Sequence, residues 1–151
     1  MANQEALEFN RSVLGREYPR GSFKVTRELI LDFARAVGET NPLYTGEKSA
    51  SDSGDGDLIA PPSLVTIFAK GEEPEELDLK FDGTIYMAGE WVEPTAPIRP
   101  GDLLTCTAKV KDVYQKTGRS GPMAFVVMEN TFVNQRGEVV AVVGISSVRR
   151  R

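Results

Sequence analysis

The sequence predicts an α+β domain in which an antiparallel sheet wraps a central buried helix. Three observations carry that expectation. Apolar residues recur at helical spacing near the N-terminus, a short segment in the middle is apolar on nearly every side, and period-two alternation runs from Gly83 onward. Helices followed by a run of strands is the pattern of an α+β layer architecture.

The first helix is predicted over Thr26 to Val37. Leu29, Ile30, Phe33, Ala36 and Val37 form one face, and Arg27, Glu28, Asp32 and Arg35 fall between them. Thr26 is a suitable N-cap, Glu28 sits in the first turn, and Gly38 follows as a stop. Ser22 to Val25 reads as a short strand leading in. Beyond Asn41-Pro42, residues 45–57 contain no large apolar side chain and read as a flexible acidic loop. Asp52, Asp55 and Asp57 lack the spacing and the terminal Glu of a calcium loop. Pro61 and Pro62 then open Leu64 to Ala69, and a helix that is apolar all round is expected to be buried.

The strands are read from alternation. Leu104, Cys106, Ala108 and Val110 make an apolar face, with Thr105, Thr107, Lys109 and Lys111 opposite. A turn at Lys116 to Gly121, a strand from Met123 to Val133, a tight turn at Asn134 to Gly137 and a strand from Glu138 to Val148 complete an antiparallel meander. Thr84 to Val92 adds a fourth strand, on which Tyr86, Met87 and Trp91 are expected to pack in the core. There is no internal repeat, so residues 1–151 are taken as one domain. A sheet that must cover its apolar stripe with the helix around Pro61 to Lys70 is the hot-dog arrangement.

Composition narrows the chemistry. With 18 Lys+Arg against 22 Asp+Glu the formal charge is -4, which argues against a nucleic-acid binder, and Arg149 to Arg151 reads as a solvated end. The N-terminus lacks a signal-peptide core and no apolar run reaches membrane-spanning length, so a cytoplasmic protein with no membrane partner is expected. The chain has no histidine and one cysteine. Triads of the Ser-His or Cys-His kind, Cys/His zinc sites and an intramolecular disulfide are therefore excluded for this chain alone. Acid/base work must come from carboxylates, tyrosines or lysines, or a partner must bring the histidine. No GxGxxG or GxxxxGK[ST] loop is present, so no nucleotide cofactor is implied. Cys106 alternates with Leu104 and Ala108 and reads as a buried small hydrophobe.

Six segments taken together resemble the MaoC-like hydratase/dehydratase family. They are Leu14 to Pro19, Glu28 to Gly38, Gly38 to Tyr44, Leu58 to Pro62, Arg99 to Asp102, and Thr131 to Glu138. The family's catalytic motif is Gly-Asp-x-Asn-Pro-Leu-His, whose Asp and His activate the water added to, or removed from, an enoyl thioester. Gly38, Asn41, Pro42 and Leu43 match it, Glu39 falls where the Asp stands, and Tyr44 replaces the His. A phenol is a far weaker base than an imidazole at neutral pH, so the standard mechanism is not expected here. Leu-Gly-Arg-x-Tyr-Pro and Ile-Ala-Pro-Pro are similar to the non-catalytic hot dog of paired hydratases, which shapes the acyl tunnel while its partner carries the dyad.

The resemblance implies an acyl thioester as ligand, with coenzyme A or phosphopantetheine as part of the substrate and no separate cofactor. It implies a homodimer, or a hetero-oligomer with a catalytic MaoC-like chain. Glu39 and Tyr44 are the candidate catalytic residues, although a lone carboxylate such as Glu39 reads first as a solvated residue near a helix end. Asn41 would orient the pair, and Ala60, Pro61, Pro62 and Ser63 would line the tunnel with Tyr44. Lys116 and Arg119 read as an ordinary charged hairpin or as a site for the thioester's phosphates. A self-sufficient homodimeric lyase using Glu39, a hot-dog acyl-CoA thioesterase and an acyl-thioester binding protein remain as alternatives.

Overall fold

Helix α1 (Arg27–Ala36) begins where Thr26 accepts a hydrogen bond from the Leu29 N–H at 3.1 Å, and it ends at Gly38, whose φ of 71° no β-carbon residue takes cheaply. A second helix, α2 (Pro42–Thr45), is one turn long. The computed structural model describes residues 7–46 and 58–151, so the acidic loop expected at 45–57 lies outside the described residues from position 47 on.

Five strands form one antiparallel sheet. They are β1 (Glu17–Lys24), β2 (Thr84–Pro94), β3 (Leu103–Gly118), β4 (Gly121–Val133) and β5 (Val139–Arg150), in the order β1-β3-β4-β5-β2. The meander β3-β4-β5 is as the alternation predicts, and β2 returns along the outer side of β5. β1 is twice the length expected from Ser22 to Val25, because a bulge between Pro19 and Gly21 lets a proline- and glycine-containing segment keep pairing with β3. The register fixes the two ends of the sheet. One end carries the row Cys106, Phe132, Ala141 and Pro94, and the other carries Met123, Arg150 and Thr84.

The inner face holds two apolar clusters. Ile30, Leu64, Val65, Leu104, Phe132 and Val143 belong to the first, and Val13, Leu77, Val110, Val126 and Met128 to the second. Between Phe132 and Met128 on β4 stands Asn130, fully buried, whose side-chain amide accepts from the Lys70 N–H at 3.3 Å and donates to the Lys70 carbonyl at 3.1 Å. It acts as a spare piece of backbone for a segment that has no strand to pair with. From there residues 70–78 cross the sheet as a strap. Arg20 holds the Glu72 carbonyl at 2.6 Å and its carboxylate at 3.4 Å, and Arg149 with Ser147 holds the Glu73 carboxylate at 2.5 and 2.9 Å.

The central helix differs from expectation. Residues Pro62–Ile67 form a 3-10 helix, and it is buried on one side only: Leu64 and Val65 are enclosed while Ile67 is 50% exposed. The run Val65-Thr66-Ile67 is β-branched, which disfavours an α-helix, and the Thr66 hydroxyl donates to the Ser63 carbonyl at 2.8 Å, stabilising the tighter turn. Burying Leu64 and Val65 still contributes about 1.5–3 kcal/mol each.

The core reading of the fourth strand is also corrected in part. β2 lies at the sheet edge, so Tyr86 and Met87 are 52% and 70% exposed. Trp91 alone of the three packs, and it lies flat on Gly144 of β5, where an added β-carbon would stand 1.9 Å from the indole.

Candidate functional site

After α1 the chain turns on its own side chains. The Glu39 N–H donates to the Ala34 carbonyl at 2.8 Å, and its carboxylate Oε1 accepts from the N–H groups of Thr40 and Asn41, both at 2.9 Å. Asn41 then caps α2, its Oδ1 accepting from the Leu43 N–H at 3.1 Å, with Pro42 in the first helical position where a missing N–H costs nothing. Glu39 and Asn41 are thus spent on the backbone of the turn that delivers Tyr44. The segment from Leu58 is tied beside it: the Ile59 N–H donates to the Leu43 carbonyl at 3.2 Å and the Ala60 N–H to the Ile98 carbonyl at 2.8 Å. Gly46 and Leu58, the two flanks of residues 47–57, meet there, with Leu58 Cδ1 3.9 Å from the place a Gly46 β-carbon would take.

Beneath this turn lies a cavity of about 240 Å³. Tyr44, Ile59, Ala60 and Pro62 form one wall, the connector Pro94 to Ile98 another, and Val140 and Ala141 the floor. Ligand clefts commonly start near about 300 Å³, so this one has room for a short apolar group. Among its lining residues Tyr44 is the single titratable side chain. The Thr95 hydroxyl is taken up by the Val139 carbonyl at 2.6 Å.

The expected site residues are therefore only partly assembled. Tyr44, Ala60 and Pro62 meet at the cavity. Pro61 is buried behind it, Ser63 is exposed with its carbonyl engaged by Thr66, and Glu39 and Asn41 stand in the turn above. Lys116 and Arg119 are at the far end of the sheet, in and beside the β3–β4 turn. The wall from Pro94 to Ile98 was missed by sequence reasoning, because a connector rich in proline has no periodicity. Its two prolines around Thr95-Ala96 were the available signal.

Cys106 lies under this region and is fully buried. Burial pushes its thiol up to about 11, against the weaker opposite pull of the Arg20 cation. In mildly alkaline buffer a thiol reagent is expected to label no cysteine in the folded chain and one after denaturation. Stoichiometric labelling of the native protein at the denatured rate would contradict this burial.

An antiparallel sheet folded over a short central helix, with an apolar cavity under the turn after α1, is the architecture of MaoC-like hot-dog dehydratases. The chain belongs to the family described as FAS1-like, dehydratase domain region, which matches residues 12–143. A UPF0336 protein of Streptomyces avermitilis is 34% identical over 138 residues, covering 88% of this chain and 85% of that protein. In the crystal structure of the C-terminally truncated HadBC (3R-hydroxyacyl-ACP dehydratase) complex from Mycobacterium tuberculosis, one chain superposes with a TM-score of 0.70 at 27% identity, covering 90% of this chain and 96% of that one. A MaoC-like dehydratase from Rhodospirillum rubrum gives a TM-score of 0.64 at 26% identity, with 95% and 99% covered. No helix among the described residues is long and apolar enough to cross a membrane.

Proposed function

We propose that this chain is the non-catalytic hot dog of a heteromeric hydratase/dehydratase acting on 2-enoyl and 3-hydroxyacyl thioesters. The observation that carries the reading is the cavity itself: Tyr44 is the one titratable group lining it, and the nearby Glu39 carboxylate already accepts two backbone N–H groups. Removing water from a 3-hydroxyacyl thioester needs a base for the α-proton and an acid for the departing hydroxyl. An apolar pocket walled by proline, alanine and isoleucine, with one phenol, supplies no carboxylate or imidazole to serve as the base, but it takes a short acyl group. The partner chain brings the Asp and His, and this chain completes the tunnel. The two-component HadBC complex, whose chain is similar to this one over nearly its whole length, supports a subunit of this kind.

Crotonyl-CoA hydration by the purified chain, followed by loss of the conjugated enoyl absorbance, tests the reading. No turnover above buffer is expected from the chain alone, and turnover is expected once a catalytic hot-dog chain is co-expressed. Robust hydration by the chain alone would overturn the proposal. If that activity then fell by about 10²–10⁴ in Glu39→Gln, Glu39 would be a working general acid/base in a self-sufficient lyase. Release of free acid instead of the hydrated thioester would make the protein a thioesterase.

A further inference from the structure

Residues 62–73 lie on the inner face of the sheet without belonging to it. Among the described residues no backbone–backbone hydrogen bond runs from this segment to a strand: the N–H groups of Leu64, Phe68 and Ala69 donate to the carbonyls of Pro61 and Val65, at or within the segment itself. Prolines stand at both of its ends, Pro61-Pro62 and Pro74, and beyond them the chain is pinned. On one side the Ala60 N–H donates to the Ile98 carbonyl at 2.8 Å. On the other, Asn10 donates to the Leu77 carbonyl at 2.9 Å and the Glu76 carbonyl at 3.0 Å, and Leu77 is buried in the second apolar cluster.

Between these pins the segment is held by a short set of side chains. Leu64 and Val65 are its only buried residues, and Phe68 stacks on Phe23 of β1 with ring centroids 4.5 Å apart. The other ties are polar: Asn130 to the Lys70 backbone, Arg20 to Glu72, and Arg149 with Ser147 to Glu73. β4, in contrast, buries Ala124, Val126, Val127, Met128, Asn130 and Phe132 and is paired on both sides. Few buried apolar contacts and no ladder place a region at the low end of the range of local opening free energies. The polar ties are also incomplete. The Nε atoms of Arg20 and Arg149 are buried without a hydrogen-bond partner, and so is the phenol oxygen of Tyr18, close to Arg20 on β1. An unpaired buried polar atom costs free energy in the closed form, and water that reaches it when the segment lifts recovers part of that cost.

We propose that residues 62–73 open as one unit while the five strands stay paired, carrying Pro62 away from the cavity. Pro62 is part of one cavity wall, whereas the floor of Val140 and Ala141 belongs to β5 and stays in place. The cavity of about 240 Å³ is then the closed form of a larger groove. Its extension runs over Phe132 and Val143, which share the first apolar cluster with Leu64 and Val65.

Residue-resolved amide hydrogen exchange on the full chain at low urea concentrations tests it. The N–H groups of Leu64, Phe68, Ala69 and Lys70 are each hydrogen-bonded and report on the segment. They are expected to converge on one opening reaction, about a hundredfold or more as frequent as the one that releases the slowest β4 amides. Its urea dependence is expected to be shallower, because less surface is uncovered. Val110→Ala loosens the second apolar cluster, which includes no residue of 62–73. It is expected to speed the slow β4 amides by about tenfold or more and to leave those four unchanged. The double variant Arg20→Met/Glu73→Gln removes ties at Glu72 and Glu73 while keeping the apolar stems, and it is expected to speed all four by about tenfold or more. Exchange of the four only together with the strands, four unrelated opening reactions, or a double variant that exchanges at the native rate overturns the proposal. No ligand and no turnover enters these readouts, so hydration by the chain alone would remove the non-catalytic reading and leave the opening unit standing.

Discussion

Truncating Phe132 to alanine is expected to lower the unfolding free energy by about 3–5 kcal/mol. Phe132 is fully buried on β4, paired with Cys106 on one side and Ala141 on the other, and it sits in the apolar cluster that Ile30, Leu64 and Val65 close from above. No larger side chain borders it on its own strand pair, so the neighbours cannot collapse to fill the space. For a domain of this size each kcal/mol moves the melting temperature by about 2–4 °C, giving a drop of about 6–20 °C. Thermal and urea unfolding measure it. Phe132→Leu, which keeps most of the volume, is expected to lose much less. A Phe132→Ala variant within about 1 kcal/mol of the native chain would mean that this cluster is not the core of the fold.

Replacing Gly144 by valine is expected to evict an indole. The β-carbon alone would stand 1.9 Å from a ring carbon of Trp91, a distance that no rotation of valine relieves. One of the two side chains must leave, and Trp91 is on the edge strand where it can swing into water. Overpacking of this kind costs about 1–3 kcal/mol, and uncovering the ring adds to it. Because Trp91 is the chain's single tryptophan, its fluorescence reports the event directly as a red shift. Trp91→Ala/Gly144→Val is expected to cost less than the sum of the separate changes, since the clash is absent when the ring is gone. An unshifted emission spectrum in Gly144→Val would show that the contact is made elsewhere.

The sequence was legible where one physical signal acted alone. Thr26, the apolar face of α1 and Gly38 declared a helix without tertiary help, and Leu104 to Val110 declared a strand with one dry face. The central helix was misread because hydrophobicity and backbone preference disagreed there. Leu64 to Ala69 is apolar, but its β-branched run and the Thr66 hydroxyl favour a 3-10 turn, so Ile67 stays outside. Tyr86 and Met87 were misplaced because residue type does not reveal which strand ends up at an edge; that is decided by β2 pairing with β5 instead of leaving β5 as the rim.

At the site, local motif reading found Tyr44, Ala60 and Pro62, which lie within a few residues of recognisable turn signals. It could not find Val140, which reaches the cavity only through the sheet register, or Ile98, which the connector between β2 and β3 carries there. Nor could it see that Lys116 and the cavity occupy opposite ends of the sheet, since a hairpin's position along a sheet is a property of pairing and not of composition.

The meeting of Gly46 and Leu58 has a practical consequence for anyone who wishes to rebuild this protein. The contacts that bring those two residues together belong to the helix before them and to the connector after them, through Leu43 and Ile98. Both flanks are therefore held by contacts that lie outside residues 47–57. Doubling the length of a connection between two fixed ends costs only about 0.6 kcal/mol. Residues 47–57 are thus the place to splice in a tag, a reporter or a protease site. Tyr44 and Ile59, two and one residues from those flanks, line the cavity, so a reporter spliced there would also sit close in the chain to whatever enters it.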